Sequence, residues 1–195
     1  SFSMAEGTEQ GQTQGIADAR FMRGLAYRYI RALGGCGIIY EDTQDLVNGY
    51  VVSPCRQTDV IEFAIRDLEF AAKNLPATSP ATGRVNKYAA YAMLSRFYLS
   101  MAGLTTSGRY DGSNIATEKN SGTRNEYYLD LARKAAAMVI DNGPYKLLDN
   151  YADLFAAATQ NNNGESIFQL QFQAGADGGL AQSMTRFLAW STAVN

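Results

Sequence analysis

Apolar residues return every three or four positions in four separate stretches of the chain, and that spacing predicts helices rather than strands. From Ile16 onward, Met22, Leu25, Ala26, Tyr29, Ile30 and Leu33 recur at helical steps, while Asp18, Arg20, Arg28 and Arg31 mostly avoid the stripe. Gly34-Gly35 closes this first helix, because glycine accepts the left-handed conformation found at helix ends. The second starts with Thr58 or Asp59 as N-cap, with Glu62 placed to return the hydrogen bond. Its stripe runs Ile61, Ile65, Leu68, Ala72 and Leu75 and stops before Pro76. The third begins near Asn86 and aligns Ala90, Met93, Leu94, Phe97 and Met101; Ala89, Ala92 and Ser95 beside them are small enough for a neighbouring helix to approach closely. The fourth, from about Glu126, carries Tyr128, Leu131, Ala132, Ala135, Met138 and Val139 and ends at Asn142-Gly143-Pro144.

The remaining stretches are polar or irregular. Residues 1–15 are Gly-rich with no apolar period and are expected to form a flexible lead-in, leaving 16–195 as one domain. A loop from Gly103 to Arg124 is rich in Gly, Ser, Thr and Asn, and a compact domain rarely keeps so long a loop without a use. Tyr151 to Ala157 reads as a short helix, Ser166 to Phe172 alternates as a half-buried strand would, and Leu180, Met184, Phe187 and Leu188 suggest a last helix before Trp190. The fold class that follows is all-α: stacked helical hairpins, each pair covering its neighbour's apolar face, with minor extended segments.

Composition mainly excludes. A net charge of −2 offers nothing to a phosphate backbone, so no nucleic-acid partner is expected. The chain has no histidine, which removes the commonest general base, the commonest metal ligand and every Ser-His or Cys-His nucleophile. Two cysteines cannot complete a closed zinc site, and neither metal nor cofactor is expected. No apolar run approaches the ~20 residues that cross a bilayer.

Several residue groups invite a chemical reading. Arg20 and Arg23 have the fork geometry that binds anions, but on a scaffold helix they are expected to pair with acids of the next helix. Asp67 with Glu69, or Asp149 with Asp153, would supply the two carboxylates that sugar hydrolysis needs; acids on solvated helix faces are far commoner. Cys36 and Cys55 bracket the irregular stretch after the first helix, either as one disulfide closing a loop of about 19 residues, worth roughly 3 kcal/mol, or as two thiols. Sugar binding calls for aromatic faces beside amides, carboxylates or guanidinium groups. Trp190, with Thr192 and Asn195 nearby, and Arg109-Tyr110-Asp111 in the long loop have those ingredients.

Four stretches, read in order, resemble the SusD/RagB family of outer-membrane lipoproteins. Ala19-Arg20-Phe21-Met22-Arg23-Gly24-Leu25-Ala26-Tyr27 before Leu33-Gly34-Gly35 is similar to the family's A-x-R-x-x-R-A-x-x-Y helix. Arg56 through Asp67-Leu68-Glu69 to Asn74-Leu75-Pro76 resembles its second helix, and Gly83-Arg84-Val85-Asn86-Lys87-Tyr88-Ala89-Ala90 its G-R-x-[ST]-K-x-A-A start. Asn150-Tyr151-Ala152-Asp153-Leu154-Phe155 followed by Asn163-Gly164-Glu165-Ser166-Ile167-Phe168 resembles N-Y-x-x-L-F and N-x-E-x-I-F. Gly24 departs from the usual alanine.

The resemblance implies a tetratricopeptide-like α/α superhelix, part of a longer protein, with no catalytic residues. It implies a non-enzymatic, cell-surface protein that binds an oligosaccharide and delivers it to a SusC-like TonB-dependent transporter. It also places the full-length protein on the outward face of the outer membrane, held by an N-terminal lipid anchor absent from this chain. Trp190, Tyr110 and Arg109 are the candidate ligand-binding residues from the residue chemistry above; the family motifs carry none over. Two other functions fit an all-α scaffold: a glycoside hydrolase using paired carboxylates, and a helical-repeat adaptor for peptides.

Overall fold

The computed structural model describes residues 9–41, 47, 53–79, 83–112, 122–156 and 158–169. Among the described residues four α-helices carry the architecture: α1 Glu9–Gly34, α2 Gln57–Asn74, α3 Lys87–Leu104 and α4 Glu126–Asn142, followed by a 3-10 turn at Tyr151–Leu154. α1 packs on α2, α2 on α3 and α3 on α4, which is the serial stacking of helical hairpins that the apolar periods predict. The fold is all-α.

Local chemistry sets the helix ends. Asn86 caps α3 by accepting from the Ala89 N–H at 3.0 Å, and Asn125 caps α4 by accepting from Tyr127 N–H at 3.1 Å. At α2 the cap differs from the expected one. Arg56 is the N-cap, and Asp59 rather than Glu62 reaches back to the Arg56 N–H at 3.1 Å, so Glu62 is released for another role. Leu75 ends α2 in an extended conformation ahead of Pro76, as the proline requires.

α1 departs from its sequence reading twice. It starts at Glu9, so residues 9–15 of the expected lead-in are helical; these nearly two turns are polar and Gly-containing and carry no apolar period for the sequence to show. Residues 1–8 lie outside the described residues. Its buried side is also a different one: Ala17, Phe21, Gly24 and Leu25 face the core with Tyr27, whereas Met22, Tyr29, Ile30 and Leu33 are exposed. α1 has two apolar stripes, and the one containing Gly24 wins because a missing side chain lets α2 come close. A Cβ at Gly24 would stand 3.0 Å from Leu68 Cγ.

One core joins all four helices. Phe21, Ile61, Leu68, Met101 and Tyr128 are among its fully buried large side chains. Burying each such apolar side chain contributes about 1.5–3 kcal/mol. Asp67 is buried among them, held by two bonds from Arg23 at 2.6 and 2.8 Å, with Arg20 at 4.0 Å. The two arginines therefore pair across to the next helix, as expected of a scaffold. Glu69 accepts from the Tyr98 hydroxyl at 2.7 Å, tying α2 to α3.

After α1 the chain runs extended, and the Tyr27 hydroxyl holds it by donating to the Ile38 carbonyl and accepting from the Tyr40 N–H. Gly37 and Cys55 form an isolated antiparallel bridge. Cys36, in the bend just before that bridge, and Cys55 are free thiols in the structure. The expected strand at 166–172 is not formed in 166–169, the part that is described. Trp190 and the helix expected before it lie outside the described residues.

Candidate functional site

Three segments enclose a cleft of about 520 Å³, within the range of small-ligand sites. α2 contributes Asp59, Glu62, Phe63 and Arg66, whose spacing of three, four and seven residues places them on one helical face. The extended run after α1 contributes Ile39 and Glu41, and the loop after α3 contributes Arg109, Tyr110, Asp111 and Gly112. The structure thus brings Arg109 and Tyr110, both expected from sequence, to one site.

That loop is a built feature. Asn125, itself buried, donates one bond to Thr105 Oγ1 and one to the Gly108 carbonyl, each at 2.8 Å, while its oxygen caps α4. The Tyr110 N–H donates to the Tyr128 hydroxyl at 2.8 Å, and Arg56 donates to the Gly112 carbonyl at 2.8 Å. Burial pushes the Tyr128 hydroxyl up to about 12, so it stays a neutral acceptor. Gly108 and Gly112 take positive φ values of 63° and 82°, which favour glycine at both bends.

Tyr110 is only 8% exposed. Its hydroxyl donates to Asp59 and accepts from the Thr58 hydroxyl at 3.3 Å. The ring is consequently a latch between loop and α2, and its presented edge is small. Arg109 is the more open of the pair; its guanidinium lies 3.6 Å from Glu62 Oε1, and Arg66 lies 3.7 Å from the same oxygen. Glu62 is the acid the sequence reading placed at a helix cap, and it is instead a nearly buried carboxylate, 5% exposed, between two guanidinium groups. Helical spacing from Asp59 through Phe63 to Arg66 was the signal that could have assigned it to this face.

The carboxylates respond in opposite directions. Burial raises the Glu62 carboxyl above its ordinary value, more than Arg109 and Arg66 lower it. Burial also works to raise Asp59, but the bonds from Tyr110 and Arg56 together outweigh it and leave that carboxyl below its ordinary value. Phe63 closes the cleft's apolar side, with the Tyr27 ring edge-on at 5.2 Å and the Arg23 guanidinium 4.7 Å over its own ring. Acceptors, donors and one apolar wall are what a polyhydroxylated ligand uses. Among the described residues no group of His, Cys, Asp or Glu is arranged to hold a metal. Asp67 and Glu69, weighed above as a hydrolytic pair, are committed to Arg23 and Tyr98.

No family model matches the sequence. A curated SusD-like protein of Bacteroides ovatus is 36% identical over 187 residues, covering 96% of this chain and 31% of its own length. Among solved structures, a SusD superfamily protein of Parabacteroides distasonis superposes with a TM-score of 0.71 at 25% identity, over 88% of this chain and 33% of its own. The chain belongs to the SusD-like family. A further SusD-like relative, from Formosa agariphila, is 24% identical, and the chain spans about a third or less of the curated relatives it matches. A crystal structure with xylogluco-oligosaccharide shares 36% identity and a TM-score of 0.74, over 89% of this chain and 32% of its own.

Proposed function

We propose that this SusD-like chain is the helical scaffold of a cell-surface carbohydrate-binding protein, non-enzymatic, that captures an oligosaccharide and hands it to a SusC-like TonB-dependent transporter. On this reading the full-length protein is lipid-anchored in the outer membrane and faces outward. The observation that carries it is the 36% identical structure with xylogluco-oligosaccharide, which covers most of this chain at a TM-score of 0.74. The cleft beside Arg109 adds chemical support, since carboxylates and guanidinium groups held at fixed positions suit sugar hydroxyls.

Calorimetric titration of the full-length protein with xylogluco-oligosaccharide tests the binding, and co-purification from outer membranes with a TonB-dependent transporter tests the delivery. Saturable binding without release of reducing ends is the expected result. Release of reducing sugar would favour the hydrolase instead, and absence of binding to any of a panel of plant and host glycans would remove the proposal.

A further inference from the structure

The cleft is electrostatically one-sided, and its guanidinium groups are already engaged. Four carboxylates line it, from Glu41, Asp59, Glu62 and Asp111, against two guanidinium groups, from Arg66 and Arg109. Counting Arg56, which lies against Asp59 at 3.1 Å, still leaves the negative sign in excess among the described residues that line it. Resting on the glycan-binding reading above, we infer that this cleft selects uncharged oligosaccharides and excludes those bearing carboxylates, with Glu62 as the residue that withholds Arg66 and Arg109 from an acidic sugar.

The withholding follows from burial. A uronate entering the cleft finds its natural partners, the two guanidinium groups, 3.6 and 3.7 Å from Glu62. Drawing Arg109 towards the ligand would leave a nearly buried carboxylate with Arg66 alone as its counter-charge, and weakening the pairing of a buried charge is costly to a fold. Asp59 is tied down in the same way by Arg56 and Tyr110. A neutral sugar needs no such exchange. Its hydroxyls donate to the outer carboxylate oxygens and accept from guanidinium N–H groups that remain with Glu62.

The test compares a xylogluco-oligosaccharide with an oligogalacturonide of similar length, titrated into the full-length protein at low salt and again at high salt. The neutral ligand is expected to bind alike in both. The acidic one is expected to bind at least about tenfold more weakly at low salt and to recover part of that loss as salt screens the cleft. A Glu41→Gln/Asp111→Asn double variant should shift the affinity ratio towards the acidic ligand by about threefold or more. A control pair removing the same charge from α4, Glu126→Gln/Asp130→Asn, should leave the ratio unchanged. Equal or tighter binding of the oligogalacturonide overturns the inference, as does an equal shift of the ratio by the α4 control. Should the neutral ligand bind with no change of the ratio in the cleft variant, the selectivity is wrong while glycan capture stands. Should neither ligand bind, both fall together.

Discussion

Asn125 does more for the site than any residue that lines it. One side chain caps α4 and fixes the loop backbone at two points, so a substitution reaches both structures at once. Asn125→Ala is expected to cost about 2–3 kcal/mol, the lost cap plus buried groups left without partners. Asn125→Asp keeps the cap acceptor but sets a carboxylate oxygen against Gly108's carbonyl, and should free the loop while holding α4. Urea midpoints read the first effect, and amide exchange across Thr105 to Asp111 reads the second.

Glu62 gives a pH signature at the same scale. Its carboxyl binds a proton more readily in the fold than in the unfolded chain, so its contribution to stability is complete below its ordinary value of 4.5. That contribution is lost as pH rises through the raised folded value. Asp59 has the opposite sign: its contribution is present above its ordinary 3.8 and is lost as pH falls through the lowered value. Replacing Glu62 with Gln should therefore flatten the decline in urea midpoint as pH rises above its ordinary 4.5, and leave the acid-side loss in place. An unchanged slope on the neutral side would show that Glu62 is ionised as easily in the fold as in water.

Among the elements, α3 and α4 were the most legible, α3 by its start at Asn86 and its apolar face, α4 by its apolar face and the Gly143 stop; the Asn125 cap of α4 came from the structure. α1 was legible as a helix but not in its facing. Met22, Ile30 and Leu33 form as good a stripe as Ala17, Phe21 and Leu25, and a period cannot say which stripe meets a partner. Gly24 held that information, though only next to Leu68. Arg109 and Tyr110 were readable as loop chemistry; for Glu62 the chain shows the four-residue step to Arg66, but its second partner, Arg109, comes from another element, and a contact of that range leaves no spacing in the chain.

Gly24 also yields a test of helix against packing. In a free helix, Gly24→Ala would gain up to about 1 kcal/mol. Here the added methyl meets Leu68, a fully buried side chain with little room to yield. Overpacking of that kind costs about 1–3 kcal/mol, so a net loss near 1 kcal/mol is expected in the denaturation midpoint. Gly24→Ala with Leu68→Val should recover most of it.

Taken as a whole, the molecule is a series rather than a cluster: each helix leans chiefly on the next one along the chain. Among the described helices, α2 and α3 each pack on two others and α1 and α4 chiefly on one, so local opening should be graded. Native-state hydrogen exchange is expected to find the slowest amides at the buried positions of α2 and α3, with α1 and α4 exchanging sooner. Uniform protection across all four helices would mean that opening occurs only globally.

Serial stacking also sets how the chain would answer a pull. Tension between α1 and α4 loads the three interfaces one after another, so the structure should peel from its outer helices in several small force steps instead of giving way at a single peak. The inner pair, and with it the Asp59–Glu62–Arg66 face of α2, should stay intact through strains that loosen the ends.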